Sequence, residues 1–187
     1  MIIGIIGCFQ ERWQTNPLGN GKTMTMTWLG YCDYLEGREV VSNYKTTFTE
    51  EKNVEDMVNL FNTTDLQNIS FLIDELHVVF DSLGHKQGKM RLITNMITQT
   101  RKRKVDLYYT TQRYMNVHKR LRDMTAYILL PYKIHLDGNV CNIDSCKEEH
   151  EIVITSQVPQ KPWPLKILNC TACGTLYDSN QIIKENY

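Results

Sequence analysis

NPLGNGKT, Asn16 to Thr23, stands behind the apolar opening run MIIGIIG (Met1–Gly7), with CFQERWQT (Cys8–Thr15) between them. A short, unbroken, Ile-rich run is the pattern of a strand buried on both faces of a parallel sheet. After the loop, Met24, Trp28, Tyr31, Cys32 and Leu35 recur at helical spacing, and Gly37 is placed to stop the helix. A Gly-rich turn between strand and helix is a phosphate cradle, because bare backbone N–H groups and the helix dipole converge on the anion. Gly19 and Gly21 let the backbone close. Lys22 would reach the β- and γ-phosphates, and the Thr23 hydroxyl would ligate Mg²⁺. Asn16 stands where such loops usually begin with Gly, and Asn tolerates left-handed backbone angles better than most residues. The expected nucleotide-contacting set is Asn16, Gly19, Asn20, Gly21, Lys22, Thr23, Met24 and Asp74.

The reading of Asp74 comes from the third apolar run. ISFLIDE (Ile69–Glu75) predicts a buried strand ending in two carboxylates, at the strand end where open α/β sheets bind ligands. Asp74 would hold hydrated Mg²⁺. Glu75 would orient and deprotonate the attacking water, the step that separates an ATPase from a phosphate-binding module. Between loop and carboxylates lie a second strand, REVVSNY (Arg38–Tyr44), and a helix marked by Val54, Met57, Val58 and Phe61, with Glu50 and Glu51 expected in its first turn. HKQG (His85–Gly88) reads as a loop and residues 89–103 as a helix carrying Met90, Ile93 and Ile97. VDLYYTTQ (Val105–Gln112) and AYILLPYKI (Ala126–Ile134) follow as strands. Strands alternating with helices predict an α/β fold with a mostly parallel open sheet covered on both faces.

The fourth strand ends in polar residues, Thr110 to Gln112, and Gln112 is the candidate sensor of the γ-phosphate. A loosely bound γ-phosphoryl group needs positive charge in the transition state, often supplied as an arginine by a neighbouring subunit. Arg101, Arg103, Arg120 and Arg122 compete for that role. Overall charge is silent, since 21 basic residues balance 21 acidic ones, yet Arg101 to Arg122 holds eight bases against Asp106 alone. Such segregation suits a surface that meets phosphates or an acidic neighbour. No apolar run approaches the roughly 20 residues that span a bilayer, and no basic segment precedes the first strand as in a secretory signal. The expectation is a cytosolic chain without disulfides.

Near Leu136 the texture changes to short strand-like pieces and paired cysteines. Residues 1–135 are therefore expected to form the core and 136–187 a small β appendage with a segment returning to the core. Cys141 and Cys146 are separated by four residues, Cys170 and Cys173 by two. Two thiolate pairs make a structural, tetrahedral Zn²⁺ site of the ribbon type, with His150 able to replace a cysteine of the first pair. Cys8 reads as a loop thiol and Cys32 as a packed core residue.

Taken in order, GNGKT, REVVSNY, FLIDELHVVFDS, TQTRKRKVDLYYTTQR and VHKRLRD resemble the FtsK/HerA-type P-loop ATPases, in the branch of viral genome-packaging ATPases and filamentous-phage zonula-occludens-toxin-like assembly proteins. The resemblance covers roughly residues 1–132. It implies a RecA/HerA-like, ring-forming motor, hexameric or pentameric, that hydrolyses ATP to translocate double-stranded DNA, with a capsid vertex as a further partner. It carries over Lys22 and Thr23 as phosphate and metal contacts, Asp74 and Glu75 as metal and water partners, and Gln112 as sensor. Asn16 and the inserted Cys8–Thr15 depart from the pattern. The assembly branch usually carries a membrane helix after the ATPase domain, so packaging is favoured over extrusion. A P-loop domain with a zinc ribbon also resembles a thymidine kinase, a phosphotransferase of a different class. Against that stand TRKRK, TTQR and KRLRD, which a nucleoside pocket does not need. A non-catalytic nucleotide-binding protein is the third possibility.

Overall fold

The computed structural model describes residues 1–8, 19–63, 66–78, 94–100, 102–141, 143, 146, 148–156, 166–169 and 176, without the side chains of 8, 63 and 166–169. The 89–93 part of the expected third helix and the HKQG loop lie outside them. Among the described residues eight strands form one sheet: β1 (Ile2–Cys8), β2 (Glu39–Ser42), β3 (Glu50–Glu51), β4 (Ile69–Ile73), β5 (Asp106–Arg113), β6 (Tyr127–His135), β7 (His150–Ser156) and β8 (Lys166–Asn169). Their order is β3-β2-β4-β5-β1-β6-β7-β8. The pairings from β3 to β6 are parallel, and β6–β7–β8 is antiparallel. The strands after Leu136 thus extend the same sheet, and Thr47 N–H donates to the Leu176 carbonyl at 3.0 Å, bringing the late chain back to the core.

The central strands are apolar on both sides because helices cover both faces. On one face, α2 (Val54–Thr63) buries Val54, Met57, Val58 and Phe61 against Ile2, Phe71, Leu107 and Tyr109. On the other, α1 (Lys22–Leu35) lies over Ile3, Ile5, Leu72 and Leu129. The stripe expected from spacing meets the sheet only in part, through Met24 and Trp28, which pack partly buried against this core. Lys22, Thr25, Met26, Thr27, Leu29 and Gly30 are the buried residues, and Leu35 is 67% exposed. Gly30 explains the choice: a Cβ there would stand 2.5 Å from Leu72 Cδ1, so only a bare backbone lets the helix sit this close to β4. Tyr31 and Tyr34 instead pack their rings on Phe48, with centroids 5.2 and 5.6 Å away.

Glu50 and Glu51 are not in the first turn of α2 but form the edge strand β3 beside β2. The first turn holds Glu55 and Asp56, and Asn53 caps it, its Oδ1 accepting from Asp56 N–H at 2.8 Å. Helix α1 ends where expected, with Gly37 and Arg38 N–H donating to the Tyr34 and Asp33 carbonyls. Cys8 closes β1 and does not lie in a loop, and Cys32 is half-buried on α1.

The most consequential feature is the position of β5. It lies between β1, which feeds the glycine loop, and β4, which ends at the carboxylates. A polar residue high on β5 is thereby inserted between the two halves of the site.

Candidate functional site

Gly21 caps α1 in the left-handed region at φ 83°, a conformation that costs an L side chain about 1–2 kcal/mol. Its missing Cβ is also required by packing, since one would meet Ile152 Cδ1 of β7 at 2.2 Å. Asn20 folds the loop back on β1, its Nδ2 donating to the Gly7 carbonyl at 3.3 Å. Lys22 opens the helix and is only 7% exposed. Its charge lowers the pKa values of both Asp74 and Glu75, so the amine and the two carboxylates share one field.

Thr23 Oγ1 donates to the Asp74 carboxylate, 3.1 Å from each oxygen. Thr110 Oγ1, from β5, donates to Asp74 Oδ1 and accepts from Glu75 N–H at 2.8 Å. Asn43, just past β2, clamps the same residue from the other side. Its Nδ2 donates to the Asp74 carbonyl at 3.1 Å, and its Oδ1 accepts from Asp74 N–H at 2.7 Å. The next residue, Tyr44, reaches α1: Thr27 Oγ1 lies 2.8 Å from its hydroxyl and donates to the Thr23 carbonyl at 2.8 Å. The tail of REVVSNY therefore braces both the metal-side threonine and the carboxylate it touches.

Burial pushes the Asp74 carboxyl above the usual range, against hydrogen bonds from Thr110 and Thr23 and the charge of Lys22. A buried carboxylate left under-compensated beside a threonine hydroxyl is a hard oxygen donor pair, and it fits Mg²⁺. Glu75 is raised too, first by burial and then by Asp74, against Lys22 and His77. A carboxylate held above its ordinary pKa is a better proton acceptor. Glu75 adopts φ 49°, an uncommon conformation for a side-chain-bearing residue that recurs where structure holds a group for function. His77 Nδ1 stands 3.2 Å from Glu75 Oε2 and 3.3 Å from Thr111 Oγ1.

Gln112 lies two residues past Thr110 on the same face of β5 and is half-buried. Thr110 and Asn43 are the residues that strand-end reasoning did not single out. Both stood in quoted motifs, but only the strand order reveals what they touch. Met24 packs partly buried against the α1-side core.

The arginines separate. Arg103 precedes β5 at the rim opposite the carboxylates, where Nη1 donates to the Phe61 carbonyl at 2.7 Å and the guanidinium lies 4.7 Å from the Phe61 ring. That placement ties it to α2 and keeps it from its own chain's carboxylates. Arg122 packs over Tyr114, and Arg120 is exposed on the short helix Lys119–Met124. Asn16, Arg101, Cys170 and Cys173 lie outside the described residues. Cys141 and Cys146 come together with His150, as expected for part of a metal site, and with His135, which was not expected. No described helix is long and apolar enough to cross a membrane.

No protein-family model and no curated protein sequence matches the chain. Solved structures do. The N-terminal domain of zonular occludens toxin from Neisseria meningitidis superposes with a TM-score of 0.56 at 14% identity, over 94% of this chain and 98% of that one. The DNA-packaging ATPase B204 of Sulfolobus Turreted Icosahedral Virus gives 0.51 at 12% identity, over 86% and 98%. The genome packaging NTPase B204 of Sulfolobus turreted icosahedral virus 2, in complex with ATP-gammaS, gives 0.52 at 13% identity, over 90% and 96%. At such identities the likeness is one of fold, and the chain shares the mostly parallel α/β fold of these structures.

Proposed function

We propose that the chain is an ATP-hydrolysing motor that moves double-stranded DNA, of the viral genome-packaging kind. The observation that carries the reading is the contact of Thr23 with Asp74, which joins the helix start and the strand end at one rim of the sheet. Lys22 would hold the β- and γ-phosphates, with the loop N–H groups of Gly19 to Lys22 around them. Thr23 and Asp74 would hold Mg²⁺, which neutralises charge on the phosphate oxygens when bound. Glu75, its backbone fixed by Thr110, would take the proton of the attacking water, and Gln112 would contact the γ-phosphate or that water. Arg120, Arg101 or Arg103 would complete the site from a neighbouring subunit in a ring of five or six. The basic run from Arg101 to Arg122 supports contact with DNA phosphates. A capsid vertex is the partner such a motor would need, with the host cytoplasm as its place of action. The DNA-packaging and genome packaging enzymes that share the fold support this reading.

The test is ATP hydrolysis by the purified chain with duplex DNA, with thymidine, and with neither. Stimulation by DNA is expected, with Lys22→Ala losing nucleotide binding and Glu75→Gln binding ATP without turnover. Phosphate transfer to thymidine without DNA stimulation would make the chain a nucleoside kinase. Unchanged turnover in Glu75→Gln would remove that residue as the base.

A further inference from the structure

Beyond the nucleotide site, four chemically matched side chains converge at the turn between β6 and β7. His135 ends β6 and is paired directly with His150, which begins β7. Their rings lie 4.7 Å apart at 42°. The intervening chain folds back at once, with Asn139 accepting from His135 N–H at 2.9 Å and Cys141 N–H donating to the Lys133 carbonyl at 2.9 Å. This return brings Cys141 and Cys146 to the histidines, neither thiol being in a disulfide. One ligand atom from each of the four lies within 4.8 Å of one from every other. Ligands about 2.0–2.3 Å from one tetrahedral Zn²⁺ stand about 3.3–3.8 Å apart, a small contraction from this arrangement.

Two further observations point to a ligand. The buried Nε2 of His150 has no hydrogen-bond partner, a condition that native proteins avoid. Glu148 Oε2 stands 2.9 Å from His135 Nδ1, outside hydrogen-bond angles but where a carboxylate orients a ligating imidazole.

The geometry points to a structural Zn²⁺ site formed by His135, Cys141, Cys146 and His150. The ligand set differs from the four-cysteine ribbon expected from spacing, because the strand register sets His135 beside His150, the one imidazole that the sequence had offered in place of a cysteine. Four protein ligands leave no open position, so the metal braces the β6–β7 connection. The brace acts near the phosphate loop. Ile152, two residues along β7 from His150, is the side chain packed against Gly21.

Metal content of the full-length chain, purified without chelators, tests this independently of any nucleotide activity. One zinc per chain is expected, retained in the Cys170→Ser/Cys173→Ser double variant and lost in Cys146→Ser. Cobalt substitution should give a tetrahedral spectrum with charge-transfer intensity for two Co–S bonds. His150→Cys, which keeps four ligands, should retain the metal and add a third Co–S bond, a gain that misfolding would not produce. Absence of zinc after incubation with zinc sulfate would overturn the site. So would loss of zinc from the Cys170/Cys173 variant or a cobalt spectrum of four Co–S bonds.

Discussion

Asn43→Ala removes the clamp that holds Asp74 from the β2 side. Asn43 is 8% exposed and makes two hydrogen bonds to the Asp74 backbone, at 2.7 and 3.1 Å. Alanine leaves one N–H and one carbonyl without their partner, and each buried orphan costs about 1–3 kcal/mol. With partial access of water the expected loss is about 3 kcal/mol. With a urea m-value of about 2 kcal/mol/M, the midpoint falls by about 1.5 M. Freed from the clamp, the Asp74–Glu75 pair drifts relative to Thr23, and a misplacement near 1 Å costs about 10²-fold in rate. Asn43→Asp sharpens the test. The introduced carboxylate still accepts from Asp74 N–H, but its second oxygen faces the Asp74 carbonyl and it adds charge beside two acids. It should be less stable than the alanine variant at pH 7 and recover as the pH falls, since protonation restores a donor. Urea denaturation across pH and steady-state ATPase assays read both effects. If Asn43→Ala unfolds within about 0.5 kcal/mol of the parent and hydrolyses ATP normally, the clamp is not what positions the carboxylates.

Asp74 and Glu75 both have pKa values raised in the folded state, by burial first. Their stability contribution is thus complete below the ordinary carboxylate range and declines as pH rises through the folded values. Asp74→Asn should therefore melt higher than the parent in metal- and nucleotide-free buffer at pH 7, with the difference vanishing toward about pH 3, while hydrolysis is abolished. A lower melting temperature at neutral pH would contradict the burial argument. The arginines are separable in the same way. Arg103→Ala should lose about 1–2 kcal/mol through its hydrogen bond and ring contact with Phe61, whereas exposed Arg120 should be neutral to folding. If Arg120 acts across the subunit boundary, mixing Arg120→Ala with Glu75→Gln chains should restore some turnover that neither has alone. No recovery would remove it from that role.

Much of the site could be read from residue order because its requirements are local. A left-handed glycine before Lys-Thr, an Ile-rich strand ahead of the loop and two acids after FLI each declare a backbone conformation within a few residues. That Thr23 meets Asp74 follows, since strand ends in an open parallel sheet share a rim. The apolar spacing of α1 found Met24 and Trp28 but missed the buried centre of the helix face, because Gly30 and Leu72 decide by close approach what hydrophobic periodicity cannot. Pairing across the sheet decided the rest. Only the insertion of β5 between β1 and β4 brings Thr110 to both carboxylate residues, and only the reach of β2 makes Asn43 a clamp. The antiparallel register of β6 and β7 sets His135 against His150, although 14 residues separate them in sequence. Hydrogen-bond partners chosen over long separations depend on strand order and register, which are properties of the assembled sheet and leave little trace in any one segment of the chain.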